Sequence, residues 1–316
     1  MSASDSPELP PADPSGQKAT IRLGTRGSKL AMWQSTWVKT ELEKNDVEVE
    51  LIRIKTEGDT ATGPLAQIGG QGVFTKRLQV ALLNDEIDLA VHSLKDLPTE
   101  DHPELRIAAV PPRENTADAL VSNRHASLES LPQGAIVGTG SVRRAAQLHH
   151  ARSDLEIQDI RGNVDTRLKK LDDGNYDAIL LACAGLIRLG LGDRISQAFE
   201  PDQLMPAVGQ GALGLETRAN DAQTIAVVAQ LNHDISFHRA MAERSMLRTL
   251  FAGCLAPVGA FTTETDGQLT LQGIVLSRDG KQKVHATETR PLVESAELGI
   301  SVANQLIAKG ADVLLK

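Results

Sequence analysis

Two short segments of similar sequence decide the fold of this 316-residue chain: Leu-Gly-Thr-Arg-Gly-Ser at 23–28 and Val-Gly-Thr-Gly-Ser at 137–141. Each follows a short aliphatic run and precedes a helical pattern, which starts at Lys29 in the first case and at Val142 in the second. The glycines allow tight turns, and Ser28 and Ser141 are predicted to cap the two helices. We interpret the segments as equivalent strand-to-helix junctions in two similar domains.

Strand-like and helical patterns alternate along most of the chain. The strand patterns lie at 20–23, 48–54, 89–92, 106–110, 135–137, 156–160 and 177–181. Amphipathic helical patterns separate many of them. This alternation predicts an α/β fold in which helices cover largely parallel sheets.

The pattern changes beyond Ala219. Helical runs at 221–231 and 235–250 precede strand-like runs at 258–263, 269–276 and 283–288, and a last helical run covers 295–309. A turn signal at Asp279-Gly280 separates the last two strand-like runs. These elements predict a small α+β domain with a three-stranded antiparallel sheet.

Composition excludes several classes of protein. With 41% hydrophobic and 23% charged residues the chain is expected to be globular, and its longest apolar runs, of about ten residues, are too short to span a bilayer. Residues 1–19 lack the apolar core of a secretory signal, which favours a cytoplasmic protein with a disordered tail. The net charge of −8 and the 3% aromatic content argue against nucleic-acid binding.

The two cysteines differ in their surroundings. Neither has the spacing of a metal site, so we expect no metal. Cys183 lies in an apolar run, which predicts a core position. Cys254 follows Gly253 in a predicted loop, where an inert buried thiol and a reactive or covalently modified thiol are both open interpretations.

Basic residues are concentrated in one stretch of this acidic chain. They are Arg143, Arg144, Arg152, Arg161, Arg167 and Arg188. Arg143 and Arg144 fall in the first turn of a predicted helix, where cations are unfavourable for the helix itself, so they are predicted to serve a bound anion. Asn163 is a predicted cap of a further helix in this stretch. The alternative is that these arginines are solvated on helix faces.

A polar segment, His92-Ser-Leu-Lys-Asp-Leu-Pro at 92–98, follows an apolar strand pattern. It places Ser93, Lys95 and Asp96 at the carboxyl end of a strand, where open α/β sheets bind ligands. A surface ion pair between the lysine and the aspartate is the alternative interpretation.

Eight segments together resemble one family, porphobilinogen deaminase, in order and over nearly the whole chain from about Ile21. They are Gly-Thr-Arg-Gly-Ser (24–28), Gly-Gly-Gln-Gly-Val-Phe-Thr-Lys (69–76), His-Ser-Leu-Lys-Asp-Leu-Pro (92–98), Gly-Ser-Val-Arg-Arg (140–144), Arg-Gly-Asn-Val-Asp-Thr-Arg-Leu (161–168), Ala-Gly-Leu-Ile-Arg-Leu-Gly (184–190), Pro-Ala-Val-Gly-Gln-Gly-Ala (206–212) and Ala-Gly-Cys-Leu-Ala-Pro-Val-Gly (252–259).

The resemblance implies an enzyme that deaminates and polymerises four porphobilinogen molecules and releases a linear tetrapyrrole. It also implies a covalent dipyrromethane cofactor on Cys254, a monomer, and two lobes like those of periplasmic binding proteins with a cleft between them. The implied domains are an active-site domain at 20–111 and 212–230, an arginine-rich domain at 112–211, and a cofactor-attachment domain at 231–316.

The resemblance also implies roles for individual residues. Asp96 matches the catalytic carboxylate, which would stabilise the cation formed when porphobilinogen loses ammonia. The residues implied to hold the cofactor, besides Cys254, are Ser93, Lys95, Thr139, Ser141, Arg143, Arg144 and Arg161. Those implied to hold substrate are Arg26, Ser28, Arg167, Arg188 and Gln210. Because each pyrrole carries two carboxylates, arginine-rich surroundings are the expected consequence.

The chain departs from the family pattern at four positions. Gln71 and Arg77 stand where Lys and Glu are common, and Gly140 and Ala252 replace a frequent Ser and Gly. The substitutions bear on loop contacts rather than on the chemistry. Three other functions stay open: a two-lobed binding protein for a carboxylated ligand, a Schiff-base lyase using Lys95, and a phosphate-binding transferase at the glycine-rich helix starts.

Overall fold

The computed structural model describes residues 20–54, 75–253 and 255–315. The predicted tail, Gln71 and Cys254 lie outside the described residues. Its strands are β1 (Thr20–Thr25), β2 (Glu48–Arg53), β3 (Leu89–Ser93), β4 (Leu105–Ala109), β5 (Asp118–Val121), β6 (Ile136–Gly138), β7 (Glu156–Gln158), β8 (Ala178–Ala182), β9 (Gln197–Ala198), β10 (Leu213–Arg218), β11 (Val258–Thr265), β12 (Gln268–Leu276) and β13 (Lys283–Pro291).

The helices complete the element order. They are α1 (Lys29–Glu43), α2 (Lys76–Leu83), α3 (Val142–Ala151), α4 (Val164–Asp172), α5 (Cys183–Arg188), α6 (Ala222–Ala229), α7 (Asp234–Thr249), α8 (Ser295–Ala308) and α9 (Ala311–Leu314). No helix in the described ranges is long and apolar enough to cross a membrane.

The described residues fall into two compact units. The first takes in 20–92, 101–111 and 213–233, and the second takes in 93–100, 112–212 and 234–315, in each case without the residues that the structure leaves undescribed. The first unit is built on a five-stranded sheet in the order β2-β1-β3-β10-β4, in which β1 is parallel to β2 and β3 while β10 is antiparallel to β4.

The core of the first unit joins this sheet to α1. Leu23 and Leu89 on the sheet and Val38 and Leu42 on the helix are fully buried in one apolar cluster. The apolar residues of α1 recur at helical spacing, so one face of the helix is buried against the strands.

The second unit contains two sheets. One has five strands in the order β7-β6-β8-β5-β9, with β6 parallel to β7 and β8, and β5 antiparallel to β8 and β9. The other is an antiparallel meander, β11-β12-β13, whose apolar cluster includes Leu271 of the sheet, Met246 of α7 and Val302 of α8.

The predicted fold class is confirmed: two similarly wound α/β sheets and a three-stranded antiparallel sheet with helices. All the predicted strands are present, with bounds that differ by one to three residues. Three further strands, β5, β9 and β10, were not predicted, and they make both large sheets mixed rather than largely parallel. The reason is local: β9 has only two residues, and polar residues interrupt the other two, Asp118 in β5 and Glu216-Thr217-Arg218 in β10. The equally buried β3 and β8 are more continuous apolar runs and could be predicted. The proposed three-domain boundaries remain a prediction.

Candidate active site

Both strand-to-helix junctions have the predicted caps. Ser28 accepts a hydrogen bond from the Ala31 N–H at 3.3 Å, and Ser141 accepts one from the Arg144 N–H at 3.5 Å. Thr139 Oγ1 in turn accepts from the Ser141 N–H at 3.2 Å. Asn163, by contrast, occupies the cap position of α4 without a capping side-chain hydrogen bond. The serine caps fix the start of α1 and of α3 relative to the strand that precedes each.

Arg143 and Arg144, in the first turn of α3, are buried against a carboxylate that sequence reasoning missed. Asp118, on β5, is fully buried. Arg144 donates from Nε and Nη2 to Asp118 Oδ1, at 2.9 and 2.6 Å, and Arg143 Nη1 lies 2.7 Å from Oδ2. Burial by itself would raise the pKa of Asp118, but the two guanidinium groups hold that pKa well below its usual range.

This pairing amends the sequence-based interpretation of the two arginines. Their position at a helix start predicted a bound anion, yet the chain itself supplies one anion for both. The available signal was a single aspartate in the otherwise apolar run Ala-Asp-Ala-Leu-Val at 117–121, since a charge in a buried strand requires a partner.

Lys95 and Asp96 lie on a single 3-10 turn, Leu94–Asp96, that follows β3. The Leu94 N–H donates to the Ala212 carbonyl at 3.0 Å, which fixes one end of the turn. Arg244 of α7 fixes the other end, donating to the carbonyls of Leu97 at 3.0 Å and Pro98 at 2.6 Å. The predicted catalytic segment is therefore anchored on both sides.

The two side chains on this turn differ in their contacts. Lys95 Nζ lies 3.4 Å from Gln210 Oε1, and burial lowers the pKa of Lys95 to about 8, with the charge of Arg144 adding to the effect and that of Asp96 opposing it. Asp96 is half-buried, and its carboxylate accepts no hydrogen bond from any residue that the structure describes. Its acceptor capacity is available to a ligand.

The backbone on either side of Gln210 adopts a conformation that requires glycine. Gly209 and Gly211 have φ values of +70° and +82°, a region that favours glycine, and a Cβ on Gly211 would lie 2.4 Å from the Glu114 carbonyl oxygen. The buried Gln210 amide donates to Asp118 Oδ1 at 2.9 Å and to the Thr116 carbonyl at 2.7 Å. Its predicted role in holding substrate is thus accompanied by a role in linking Lys95 to Asp118.

The remaining arginines of the basic stretch have different environments. Arg161 pairs with Asp159 at 2.7 Å on the surface, and Arg152 pairs with Asp154 at 2.7 Å. Arg167 donates to the Gly162 carbonyl, and burial, followed by the charge of Arg144, lowers its pKa to about 10. The stretch therefore contains both surface ion pairs and desolvated cations.

Arg188 and Arg26 belong to different units. Arg188 is buried and donates to the Gly211 carbonyl at 2.7 Å, and its burial lowers its pKa to about 10. Arg26 is half-buried and, with Ser28, lies in the first unit at the start of α1. Ser93, at the end of β3, is half-buried.

The cysteine prediction is confirmed for Cys183, which is fully buried at the start of α5 and whose pKa is raised by burial to about 11. Cys254 is outside the described residues. Among the residues that the structure does describe, no group of histidine, cysteine and acidic side chains could hold a metal ion.

What the second unit brings together is a group of desolvated cations beside one carboxylate with acceptor capacity. The cations are Lys95, Arg143, Arg144 and Arg167, which interact electrostatically with one another or with Asp96. Guanidinium and ammonium groups bind carboxylates, and an acid can stabilise a cation. The fold and the site thus indicate an α/β protein suited to a carboxylate-rich small molecule.

Two protein-family models match the chain: "Porphobilinogen deaminase, dipyromethane cofactor binding domain" over residues 21–226 and "Porphobilinogen deaminase, C-terminal domain" over residues 237–308. The chain therefore belongs to the porphobilinogen deaminase family. Its activity is that of a hydroxymethylbilane synthase, a transferase of tetrapyrrole and haem biosynthesis that acts on porphobilinogen and uses a dipyrromethane cofactor.

Several solved structures are similar to part of the chain. A putative methionine-binding lipoprotein from Bacillus subtilis is 13% identical, with 68% of this chain and 90% of that chain covered and a TM-score of 0.43. The lipoprotein Tp32 from Treponema pallidum is 17% identical, with 68% and 91% covered and a TM-score of 0.45. A periplasmic substrate-binding protein of an ABC transporter from Coxiella burnetii is 14% identical, with 71% and 96% covered and a TM-score of 0.43. At these scores the similarities support no conclusion about activity.

Proposed function

We propose that Asp96 is the catalytic carboxylate of the reaction and that the desolvated cations around it hold the carboxylates of cofactor and substrate. One observation carries this proposal: Asp96 lies on a turn anchored at both ends, yet its carboxylate accepts no hydrogen bond from the described residues. A fixed acid with unused acceptor capacity is suited to stabilise a developing positive charge.

The donor set of the second unit fits dipyrromethane, because acetate and propionate side chains need N–H and O–H donors at several positions. We assign that role to Ser93, Lys95, Thr139, Ser141, Arg143, Arg144 and Arg161, with Cys254 as the point of attachment. We assign substrate binding to Arg26, Ser28, Arg167, Arg188 and Gln210. When bound, dipyrromethane supplies the free α-carbon to which the first substrate is added.

The residues of the chain act on the substrate as follows. The carbon–nitrogen bond of the aminomethyl group breaks, ammonia leaves, and the positive charge is shared with the pyrrole N–H. Asp96 accepts a hydrogen bond from that N–H and stabilises the cation. After the new carbon–carbon bond has formed, Asp96 helps to remove the proton from the substituted α-carbon. Water completes the cycle by releasing the tetrapyrrole.

We also propose a three-domain organisation, with domain 1 at 20–111 and 212–230, domain 2 at 112–211 and domain 3 at 231–316, and a cytoplasmic monomer. The family match supports an enzyme rather than a binding protein. Light scattering of the purified protein tests the monomer, because a dimer would double the measured mass.

Intact mass before and after addition of porphobilinogen tests the proposed attachment. We expect the purified protein to carry an adduct of two pyrrole units, which Cys254→Ser lacks and Cys183→Ser retains, because Cys183 is a core residue. Normal turnover by Cys254→Ser would exclude the assignment. Cys183→Ser controls for loss of any thiol, and we expect it to lose some stability only.

A further inference from the structure

The buried carboxylate of Asp118 is connected to three cations. Its Oδ1 accepts from Arg144 and from Gln210, its Oδ2 pairs with Arg143, and Gln210 in turn accepts from Lys95. The three cations lie on two different elements, α3 and the turn after β3, whereas Asp118 comes from β5. A single acid is thus connected to cations from two segments that lie far apart in the sequence.

We infer that Asp118 is a positioning residue for carboxylate binding, which holds Arg143 and Arg144 directly, and Lys95 through Gln210, in the arrangement that receives the cofactor. This inference rests on the proposed role of the three cations as cofactor ligands. Asp118 itself has no contact with ligand in the proposal.

The hydrogen-bond inventory of the arginines supports a positioning role. Arg143 uses Nη1 on Asp118 and on the Met205 carbonyl, while its Nε and Nη2 donate to no group that the structure describes. Arg144 uses Nε and Nη2 on Asp118 and Nη1 on the Leu180 carbonyl at 3.0 Å. Because a guanidinium has five N–H donors, each arginine keeps donors for a ligand carboxylate after Asp118 has been satisfied.

Charge supports the same conclusion. Arg143 and Arg144 are consecutive on the helix, and repulsion between desolvated guanidinium groups favours side-chain conformations that turn them apart. The carboxylate of Asp118 between them offsets that repulsion. One carboxylate offsets only part of the charge of three cations, so the group stays net positive. The charged groups that act on Lys95 are Asp96 on its own turn, Asp118 on β5, and Arg143 and Arg144 on α3. Removal of the Asp118 charge should therefore lower the pKa of Lys95 further.

The chain offers a matched control in Glu243. It is also fully buried and bonded to an arginine, with Arg113 donating to its two oxygens at 2.7 and 2.9 Å, and it accepts from the Gly209 N–H at 2.8 Å and from Thr262 at 2.7 Å. None of the cations proposed to hold cofactor contacts it. Glu243 supports the backbone at Gly209 and, through Arg113, the Gln210 carbonyl. Glu243→Gln therefore removes a buried charge of the same kind that contacts backbone and Arg113 but none of the three cations, and it controls for loss of backbone support.

The test compares Asp118→Asn, Asp118→Glu and Glu243→Gln with the parent protein by intact mass and thermal unfolding. In Asp118→Asn we expect the fraction carrying the two-pyrrole adduct to fall about tenfold, because charge-assisted contacts of the binding group are lost. Glu243→Gln should lose stability but keep its adduct. Asp118→Glu keeps the charge but moves it, so its adduct fraction should lie between the two.

A second readout separates positioning from mere loss of stability. The pH dependence of Lys95 acetylation, followed by peptide mass spectrometry in a Cys254→Ser background, reports the lysine without cofactor. We expect the profile to shift to lower pH in Asp118→Asn, to stay near that of the parent in Asp118→Glu, and to be unchanged in Glu243→Gln.

Two outcomes would overturn the inference. One is an adduct fraction in both Asp118 variants equal to that of the parent. The other is an equal loss of adduct in Asp118→Asn and Glu243→Gln with an unmoved Lys95 profile, which would make Asp118 a structural residue only. If the parent protein itself carries no adduct, the proposed function fails, while the Lys95 profile still decides whether Asp118 acts on that side chain.

Discussion

Asp96 and Asp118 are two carboxylates of the same unit with opposite surroundings. Asp118 is fully buried: its Oδ1 accepts hydrogen bonds from Arg144 and Gln210, and its Oδ2 makes an ion-pair contact with Arg143 without a hydrogen bond. Asp96 is half-buried, and its oxygens accept no hydrogen bond from the described residues. A carboxylate buried between two guanidinium groups can fix the position of its partners but does not reach a substrate group. The difference is the basis for proposing that Asp96 takes part in the reaction, whereas Asp118 holds in place the side chains that bind carboxylates.

Asp96→Asn is the variant with the largest expected effect, and it tests whether Asp96 takes part in the reaction. The variant keeps the size of the side chain but loses the charge, so it should bind substrate and fail to stabilise the cation. We expect turnover to fall by a factor of about 10² to 10³. Single-turnover assays with porphobilinogen, normalised to the adduct-bearing fraction, measure the effect.

Asp96→Glu is the matched control for charge. It retains the carboxylate and displaces it by one methylene, so part of the activity should survive. If Asp96 were only a surface partner of Lys95, both variants would behave like the parent. An Asp96→Asn enzyme within about threefold of the parent would contradict a charge-stabilising role of the expected size.

The next largest effect concerns the partners of Asp118. Arg143→Leu or Arg144→Leu removes one charged partner from a buried group, which costs roughly 1.5–3 kcal/mol. We expect a much lower fraction of protein with the two-pyrrole adduct, measured by intact mass. Arg152→Leu, in the same basic stretch, is the control, because Arg152 pairs with Asp154 and not with Asp118. Equal adduct fractions in all three variants would show that the arginine pair plays no part in holding the cofactor.

Local signals were sufficient to predict most of the fold. The serine caps at Ser28 and Ser141 and the meander around Asp279-Gly280 depend on residues close together in sequence, and the structure contains all of them. The strands β5 and β10 were not predicted because polar residues, Asp118 in β5 and Glu216-Thr217-Arg218 in β10, interrupt their apolar pattern.

The site was less accessible to sequence reasoning than the fold. Arg143, Arg144, Lys95 and Asp96 could be proposed from their positions, but the acid that organises them could not. Asp118 lies 26 residues before Arg144, on a strand that no pattern indicated. Pairing of this kind is tertiary, so arginines at a helix start indicate that an anion is needed but not that the fold itself supplies one of the anions. Their predicted role in binding an external anion stays a prediction.

The smallest effect that we predict concerns pH. Burial lowers the pKa of Lys95 to about 8, so in the free enzyme the ammonium group is charged below that pH and progressively neutral above it. Because the proposed contact with a cofactor carboxylate needs the ammonium form, the rate at which protein without cofactor acquires the two-pyrrole adduct should decline above pH 8 and be about tenfold lower at pH 9 than at pH 6.5. Lys95→Arg keeps the charge, because guanidinium groups do not titrate in this range, and should flatten the alkaline decline.

Asp96 and Asp118 both raise the pKa of Lys95, so Asp118→Asn should move the decline to lower pH even though Asp118 performs no chemistry. Intact-mass time courses of adduct formation from pH 6.5 to pH 9.5, on the cofactor-free parent and both variants, measure the shift. An alkaline limb identical in all three proteins would mean that Lys95 does not bind a substrate or cofactor carboxylate.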